Sequence, residues 1–518
     1  MTPQQLVQRA LSAYGERVAL IDGERRLSFA ELRVRSARLA NVVLGLGVGP
    51  RRPLALLLPN SLEYMEADVA AMRAGVVRVG INPRLAAEEW GYILRDSGAA
   101  ILIADAGLLE ELDPGDLEDL EAVLVVGGTA APGGKRALPY EEALGEASAE
   151  LAAPEALPED PSYILYTSGT TGRPKGATHT NGGRIAATVN MVAAELRLSR
   201  DSAMGHVGPL THGSGSKLLP VLAAGGANVA LARFDVEEFA AAVERDGITN
   251  TFMVPTMIRR LCESSQPTRA KLAKLRGVSF GGAPISVAGF EQAIETLGPI
   301  FTQVYGSCEA PHPITRLAPD DYLGSEDRTR VLESAGRAVW STDLRIEGEG
   351  GDGDEGMTGE LLVRAPHQMS GYWNNQQATV KAIDTEGWYR TGDIVSLADD
   401  GLITFRDRER DLIISGGYNV YPAEIERVLS EHEAIAEAAV VGFPSEEWGE
   451  SVLAYVVTEP EAELSAAEAT DWVRSRLAGY KKPRRVEFVR ELPHGPSGKV
   501  DKKQLKDALW QGQERRVN

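Results

Sequence analysis

Short apolar runs alternate with helical segments through the N-terminal part of the chain, and this pattern constrains the fold more than any other feature. Ser28, with Glu31 in the capping-box position, begins a predicted helix that continues to about Leu46. Apolar runs follow at Pro53–Leu58, Val76–Ile81, Ile101–Ala104 and Val123–Val126. Such runs are typical of strands buried on both faces of a parallel sheet. The alternation predicts an α/β fold of layered sheets and helices.

The chain has 518 residues, which is too long for one hydrophobic core and predicts at least two domains. The strongest candidate boundary is the charged stretch Arg406–Asp411, which lies between two predicted strands. Helices near Ala423–Leu429 and Ala466–Leu477 belong to a separate α+β pattern. We expect a large N-terminal α/β domain over residues 1–408 and a small, mobile α+β C-terminal lid domain over residues 409–518. Residues 128–160 are expected to form a loose surface connection.

Composition and charge exclude several classes of function. The formal charge of −20 argues against nonspecific binding to nucleic acid or anionic lipid. No apolar stretch approaches the ~18 residues of a membrane-spanning helix, so membrane insertion is not expected. Two cysteines, Cys262 and Cys308, can form neither a disulfide framework nor a zinc cage. The N-terminus has no signal-peptide pattern. We expect a cytoplasmic protein, and the sequence leaves open whether it forms a homodimer.

A loop rich in glycine and hydroxyl groups follows the apolar run Tyr163–Tyr166. Glycines bring backbone N–H groups close to an anion, while hydroxyls and a lysine add donors and a positive charge. The spacing is not that of the Walker pattern, and the composition alone is also typical of a flexible surface loop. The loop predicts a polyphosphate site formed by Thr167, Ser168, Gly169, Thr170, Thr171, Gly172 and Lys175.

The whole string from Tyr166 to Gly176 closely resembles the phosphate loop of the adenylate-forming superfamily, which includes acyl- and aryl-CoA synthetases. Other motifs occur in that family's order over nearly the whole chain. The resemblance implies a two-step reaction: a small-molecule carboxylic acid becomes an acyl adenylate, and the thiol of coenzyme A then takes the acyl group. It implies ATP, Mg²⁺ and coenzyme A as cofactors.

Further segments resemble the family's nucleotide site. Gly281–Pro284 resembles a segment beside the adenine and the acyl pocket. The resemblance implies that Tyr305 packs on adenine and that Glu309 holds Mg²⁺, which prefers oxygen ligands. It also implies that Asp393 binds the ribose, since a carboxylate can accept from two hydroxyls, and that Arg408 reaches the ribose or a phosphate. The predicted AMP-binding set is completed by Gly282, Ala283, Pro284, Tyr305, Gly306, Ser307, Cys308, Asp393 and Arg408.

Cys308 departs from the family, which usually has threonine just before the glutamate. A thiol is a weaker donor than a hydroxyl. The cysteine is either a tolerated near-isostere or a sign of an altered phosphate contact or substrate pocket. Covalent catalysis by Cys308 is not expected, because no adjacent histidine base is evident.

Two further residues are candidates for catalysis beside Glu309. Lys499, in Pro493–Lys499, matches the lysine that enters the active site during adenylation. Its ammonium would stabilise charge that develops between the carboxylate oxygen and the α-phosphate. His212 matches a position near the carboxylate, although a hydrogen-bonded loop histidine has the same pattern.

For the second step, the resemblance points to the C-terminal part of the chain. Aromatic rings can sandwich an adenine and cations can pair with the phosphates of coenzyme A, although a basic surface turn looks the same. The predicted CoA-binding residues are Gly416, Gly417, Trp448, Tyr480, Lys482 and Arg484. The resemblance also places the hinge of the small domain at Arg410.

The sequence thus predicts an AMP-forming acid–CoA ligase. Gly213, Gly215 and Gly281 indicate an acyl pocket without bulky side chains, which would admit an aromatic or a medium- to long-chain acid. One alternative is transfer of the acyl group to a carrier-protein thiol or a nitrogen nucleophile. The other is a non-catalytic nucleotide-binding protein, against which the joint presence of the motif residues argues.

Overall fold

The computed structural model describes residues 1–49, 52–167, 174–283, 285–348, 357–408, 411, 413–415, 418–445, 449–460, 462–477, 479–495 and 499–510. These residues form a large N-terminal α/β domain and a smaller C-terminal domain, as predicted. None of the described helices is long and apolar enough to cross a membrane.

The first part of the large domain alternates helices with short strands. Its elements are α1 (Pro3–Ala13), β1 (Val18–Asp22), β2 (Arg25–Ser28), α2 (Phe29–Gly45), β3 (Leu54–Leu57), α3 (Leu62–Ala74), β4 (Arg78–Gly80), α4 (Ala87–Ser97), β5 (Ile101–Asp105), α5 (Ala106–Leu109), β6 (Ala122–Val126), β7 (Ala137–Pro139), α6 (Tyr140–Glu146), β8 (Pro161–Tyr166), β9 (Gly176–Thr180) and α7 (Asn181–Asn190). The predicted capping box at the start of α2 is present, because Ser28 accepts from the N–H of Glu31.

The alternation continues in the second part of the large domain. Its elements are β10 (Ala203–His206), α8 (Leu218–Ala224), β11 (Ala227–Ala230), α9 (Val236–Asp246), β12 (Asn250–Met253), α10 (Pro255–Cys262), α11 (Gln266–Lys271), β13 (Gly277–Phe280), α12 (Val287–Leu297), β14 (Phe301–Tyr305), β15 (Thr315–Leu317), α13 (Pro319–Tyr322), α14 (Arg328–Glu333), β16 (Arg337–Ala338), β17 (Asp343–Glu347), β18 (Met357–Arg364), β19 (Gly371–Tyr372), α15 (Gln376–Ala382), β20 (Tyr389–Leu397) and β21 (Ile403–Arg408).

The small domain has the predicted α+β pattern. Its elements are β22 (Ile413–Ser415), β23 (Tyr418–Val420), α16 (Pro422–Ser430), β24 (Ile435–Ser445), β25 (Gly449–Thr458), α17 (Ala466–Arg474), β26 (Arg485–Phe488) and α18 (Lys502–Leu509). Its strands form one sheet, in which β25 lies between β22 and β24 and also pairs with β26. A separate apolar core, centred on Ile413, Ile425 and Val440, packs under this sheet.

Two large sheets of the big domain are parallel at their centres, as the buried apolar runs predict. One sheet has the order β19-β9-β8-β4-β3-β5-β6-β7 and is parallel from β8 to β7. The other has the order β16-β15-β14-β13-β12-β10-β11-β1-β2 and is parallel from β14 to β1. A third sheet, β17-β18-β20-β21, is antiparallel.

This topology positions the predicted site residues. The glycine-rich loop, the His212 loop, Gly281 and the turn after Tyr305 follow β8, β10, β13 and β14, respectively. The carboxyl ends of parallel strands open onto one edge of a sheet, where α/β proteins bind ligands. Helix α3, whose residues are all buried, packs against α1 and α2.

The expectation of a loose connection over residues 128–160 is wrong for part of that segment. Residues Ala137–Pro139 form the edge strand β7, and the helix α6 follows immediately. Tyr140 is buried, and its hydroxyl donates to Glu66 of α3 at 2.8 Å. This contact spans 74 residues of chain, so the local composition gave no signal of it.

Candidate active site

A large cleft lies between the two domains and has a cavity volume of about 2300 Å³. Side chains from the large domain, among them Lys175, Tyr305 and Asp393, line one side. Lys499 and Lys506 of the small domain line the other. The cleft therefore gathers predicted residues that are far apart in the sequence.

Lys499 reaches into the cleft from a loop of the small domain. The base of this loop is closed by two backbone hydrogen bonds, from Gly495 to Lys499 and from Asp501 to Pro493, at 2.8 and 2.7 Å. The Cε of Lys499 would lie 3.8 Å from a Cβ placed on Gly282. The structure thus brings the predicted catalytic lysine to the predicted nucleotide-binding segment.

His212 lies in the same region of the cleft. Burial first, and then the charges of Arg78 and Lys499, lower the pKa of His212 to about 4. Its Nδ1 lies 2.8 Å from the hydroxyl of Thr211. A neutral imidazole beside two cations is suited to hydrogen bonding with an incoming carboxylate.

Tyr305 and Asp393 meet across the cleft wall. The hydroxyl of Tyr305 donates to Asp393 Oδ2 at 2.6 Å, and the Tyr305 ring packs against Phe405 at a centroid distance of 4.7 Å. Asp393 is only 3% exposed. It lies opposite Arg408 in the register of β20 and β21, although the Arg408 side chain is outside the described part of the structure. The two predicted nucleotide residues therefore form one unit.

Glu309 is held by a residue that the sequence analysis missed. The hydroxyl of Tyr372, in β19, donates to Glu309 Oε1 at 2.9 Å. Burial and the neighbouring Glu309 raise the pKa of Tyr372, so it stays a donor at neutral pH. Lys175 lies over the ring of Tyr372, 5.3 Å from its centroid. Tyr372 thus connects Lys175 of the phosphate loop to the carboxylate of Glu309. This role becomes visible only in the structure, where β19 pairs with β9.

The donor set around Glu309 fits a Mg²⁺ ion that is shared with a substrate. The described residues contain no group of three or more His, Cys, Asp or Glu side chains that could hold a metal. Mg²⁺ typically binds one or two carboxylates and completes its shell with phosphate oxygens and water. Glu309 would hold the ion, which would neutralise phosphate charge when bound.

The backbone around Cys308 is fixed by its neighbours. The Cys308 carbonyl lies 2.8 Å from His179 Nε2, and Ser307 Oγ accepts from the backbone N–H of Glu309 at 3.2 Å. Cys308 itself is half-buried and lines the cleft. Since the His179 contact uses backbone, the turn does not depend on which side chain stands at position 308.

Gly215 and Gly281 are explained by close backbone packing, and not by the open acyl pocket that the sequence predicts. A Cβ on Gly215 would lie 1.8 Å from the carbonyl oxygen of Leu210, and one on Gly281 would lie 2.3 Å from that of Val304. Both glycines are required by close backbone packing. They therefore carry no information about the size of the acid.

A buried ion pair lies behind the cleft wall. Lys217 Nζ is 2.5 Å from Glu195 Oε1, and both side chains are fully buried. Lys217 also donates to His312 Nδ1 at 2.9 Å, and His312 stacks on Phe252 in the wall. Glu195 ends a π-helical turn, Met191–Glu195, which directs its carboxylate inward.

The family of the chain follows from comparison with known sequences. The model described as AMP-binding enzyme matches residues 7–373, and the model described as AMP-binding enzyme C-terminal domain matches residues 424–499. The chain belongs to the AMP-binding enzyme family. The predicted relationship to the adenylate-forming superfamily is confirmed.

Relatives within the AMP-binding enzyme family extend over nearly the whole chain. A feruloyl-CoA synthase from Amycolatopsis sp is 36% identical over 497 residues, which are 94% of this chain and 95% of that protein. An amide bond synthetase from Marinactinospora thermotolerans has a similar structure, with a TM-score of 0.86, 31% identity, and coverage of 98% of this chain and 99% of that chain. The o-succinylbenzoate CoA synthetase from Bacillus subtilis, in complex with an acyl-adenylate intermediate, gives a TM-score of 0.82 at 31% identity, with 97% and 98% covered.

Several residues expected in the site of this AMP-binding enzyme lie outside the described residues. They are Ser168, Gly169, Thr170, Thr171, Gly172, Pro284, Arg410, Gly416, Gly417 and Trp448. The ends of the phosphate loop are described, and the Thr167 N–H donates to the Lys175 carbonyl at 2.9 Å.

Two of the predicted CoA-binding residues, Lys482 and Arg484, are described, and they do not line the cleft. The Tyr480 side chain is outside the described part. Lys482 and Arg484 belong to the small domain near the start of β26, and neither is among the described residues that line the cleft. Their neighbour Lys481 pairs with Glu424 at 2.7 Å. Binding of coenzyme A by these residues stays a prediction.

Proposed function

We propose that the protein is an AMP-forming acid–CoA ligase that uses ATP, Mg²⁺ and coenzyme A. The prediction of this activity from the sequence is confirmed by relatives of the CoA-ligase type that cover nearly the whole chain. The observation that carries the proposal is the position of Lys499, beside Gly282 and His212, in the cleft that also holds Glu309 and Asp393.

The first half-reaction makes the acyl adenylate. One carboxylate oxygen attacks the α-phosphorus of ATP, and pyrophosphate leaves. Lys499 is assigned to stabilise the charge that develops between the carboxylate and the α-phosphate, and His212 to orient the carboxylate. Asp393 and Tyr305 are assigned to the ribose and adenine, and the segment Thr167–Lys175 to the phosphates.

The second half-reaction transfers the acyl group. The sulfur of coenzyme A attacks the acyl carbon and AMP leaves, so a thioester replaces the mixed anhydride. We assign the domain boundary to residues 408 and 409 and the hinge to Arg410. Rotation there would withdraw Lys499 and bring in Gly416 and Gly417. The position of Lys499 in the cleft, near Gly282, supports its part in the first half-reaction.

The acid belongs to the aromatic or the medium- to long-chain class in this proposal. The relative named for feruloyl-CoA favours an aromatic acid.

A cytoplasmic location fits two free cysteines, Cys262 and Cys308. A homodimer is part of the same proposal, and light scattering of the purified protein tests it.

A nitrogen nucleophile is the second candidate acceptor. The amide bond synthetase named above aligns with 98% of this chain, so the fold is compatible with either acceptor. The adenylation step would be the same for both acceptors. In the second half-reaction, an amine would enter where the thiol of coenzyme A enters in the first proposal.

The test is a pyrophosphate-release screen over aromatic and aliphatic acids, with AMP release measured in the presence of coenzyme A, of an amine, or of neither. The proposal expects pyrophosphate with at least one acid and AMP release that depends on coenzyme A. AMP release that depends on the amine alone would favour the second candidate. No pyrophosphate with any acid would refute both.

A further inference from the structure

Two arginine side chains share a single carboxylate in the wall of the cleft. Arg78, the first residue of β4, donates from Nε to Asp68 Oδ1 at 3.1 Å. Arg184, on α7, donates from Nη2 to Asp68 Oδ2 at 2.6 Å. The side chains of Arg78, Arg184 and Asp68 are 7%, 9% and 2% exposed, respectively. The cluster therefore has one positive charge in excess, in a nearly buried place.

A buried charge without a counter-charge raises the free energy of the folded state, so this excess positive charge requires an explanation. Among the described residues, neither Arg78 nor Arg184 forms an ion pair with any carboxylate other than Asp68. The two nearby phenols do not supply the missing negative charge, because burial raises the pKa values of Tyr64 and Tyr163 to about 12. The Tyr163 ring lies 5.4 and 5.3 Å from the two guanidinium carbons, which offsets only part of the cost.

Both guanidinium groups keep unused donors toward the cleft. Arg78 uses Nε and, at 3.4 Å to the Tyr64 hydroxyl, Nη1. Arg184 uses Nη2. The other guanidinium nitrogens have no hydrogen-bond partner among the described residues, and none is sealed off within the protein. Since both arginines line the cleft, these donors are available to a bound ligand.

The backbone makes room for this cluster. A Cβ placed on Gly80 would lie 2.7 Å from Arg78 Nη1 and 2.8 Å from the Tyr64 hydroxyl. Any side chain at position 80 would displace the guanidinium group. The Thr211 methyl group lies 3.3 Å from the same Cβ position, so the space beside Gly80 is filled by neighbouring side chains.

The cluster lies beside the acid end of the cleft. The charge of Arg78 acts on His212, which is next to Thr211 in the chain. In the proposed function, Lys175 and Glu309 serve the phosphates, and Lys499 and His212 serve the reacting carboxylate. The two arginines are therefore cationic groups beyond those that the reaction itself requires.

We propose that Arg78 and Arg184 bind a second anionic group of the organic acid, so that the preferred substrate is a dicarboxylic acid. This inference rests on the proposed function, because it names the acid that the ligase activates. Two guanidinium groups with parallel N–H donors match the two oxygens of a carboxylate. The second carboxylate would balance the excess charge of the cluster.

The test compares diacids with their monomethyl esters, which differ in charge at one end. Glutarate, adipate, phthalate and homophthalate are each titrated against the full-length protein by calorimetry, without ATP or coenzyme A. The same pairs are then assayed for AMP release with both cosubstrates. The variants are Arg184→Met, which leaves the balanced pair Arg78–Asp68, and Arg184→Lys, which keeps the charge. Arg330→Met is the matched control, because it removes an exposed arginine paired with Asp400.

We expect at least one diacid to bind about tenfold or more tightly than its ester, and to have the higher kcat/KM. Arg184→Met should remove this preference while the KM for ATP and the activity with monoacids change less than about threefold. Arg184→Lys should keep part of the preference, and Arg330→Met all of it. Circular dichroism and ATP binding check the fold of each variant.

Three results would overturn the inference. One is equal binding of every diacid and its ester. Another is a preference that survives in Arg184→Met. The third is an equal loss for diacids, monoacids and ATP, which would assign the arginines to the reacting carboxylate or the phosphates. Thioester formation with monoacids but not diacids would support the ligase function and contradict the diacid inference. Arg184-dependent binding of a diacid without any AMP release would support the diacid site and contradict the ligase function.

Discussion

Removal of the buried ammonium of Lys217 should destabilise the large domain strongly. The substitution Lys217→Met keeps an unbranched side chain, removes the terminal ammonium, and so removes the partner of Glu195, which is fully buried. Neither oxygen of Glu195 accepts a hydrogen bond of good geometry, so its attraction to Lys217 is mainly Coulombic. The variant therefore leaves a buried carboxylate with the neutral His312 as its remaining neighbour.

The expected cost follows from leaving the buried carboxylate of Glu195 without its cation. Loss of one partner of a buried ion pair typically costs about 3–5 kcal/mol. Burial disfavours the charged form of Glu195, but Lys217 and His312 outweigh it and lower its pKa from 4.5 to about 2. The lowered pKa of Glu195 favours the folded state at neutral pH. Since the folded pKa is the lower one, this stabilisation is complete above pH 4.5 and is lost as the pH falls toward 2.

The assay is urea unfolding at pH 7, followed by circular dichroism, for Lys217→Met, Glu195→Gln and the double variant. We expect the double variant to be more stable than Lys217→Met by about 2 kcal/mol, because it leaves no buried charge. Arg52→Met, which breaks an exposed pair with Glu121 at 2.7 Å, should cost less than about 1 kcal/mol. Additive effects of the two single substitutions, or a loss under about 1 kcal/mol for Lys217→Met, would refute the reasoning.

Three further predictions concern the reaction and the pH dependence. Lys499→Ala should lower the rate of pyrophosphate release by about 100-fold or more, because the lysine charge acts mainly in the transition state of adenylation. Thioester formation from added acyl adenylate should be spared. Equal loss in both half-reactions would contradict the role of Lys499. Tyr372→Phe should raise the Mg²⁺ concentration needed for half-maximal rate severalfold, since Glu309 loses its donor, and an unchanged metal dependence would remove Tyr372 from the site. Burial lowers the pKa values of His179, His206, His212 and His367 from 6.5 to about 4. The unfolded chain therefore binds more protons between these values, and the melting temperature should fall as the pH drops from 6.5 toward 4; a flat profile there would refute the assignment.

The nucleotide site was the most predictable part of the molecule. Tyr305 and Asp393 were both assigned to the nucleotide from short motifs, and the structure joins them by a hydrogen bond of 2.6 Å. Lys499 was assigned in the same way and lies in the cleft. Motifs of this kind are readable because the chemistry needs a few residue types at close spacing. Their assigned roles in catalysis stay predictions.

The interpretation of the glycines shows where sequence reasoning failed. Gly215 and Gly281 look like residues that leave a pocket open, but they lie against backbone carbonyls of Leu210 and Val304. A glycine in a sequence does not tell which neighbour occupies the space of its missing side chain. Only the packing of the neighbouring loop distinguishes an open pocket from a tight turn.

By itself, the sequence determined the α/β layering, the two-domain pattern and the positions of the motifs, because periodicity and loop chemistry are local properties. The tertiary structure decided which distant side chains share an environment. Asp68, Arg78 and Arg184 lie on α3, β4 and α7, and Tyr372 reaches Glu309 across 63 residues of chain. Each of these contacts depends on strand order and helix packing, which bring together charges whose spacing in the sequence carries no signal. The excess charge beside the acid end of the cleft, and hence the proposed class of substrate, is a property of the fold.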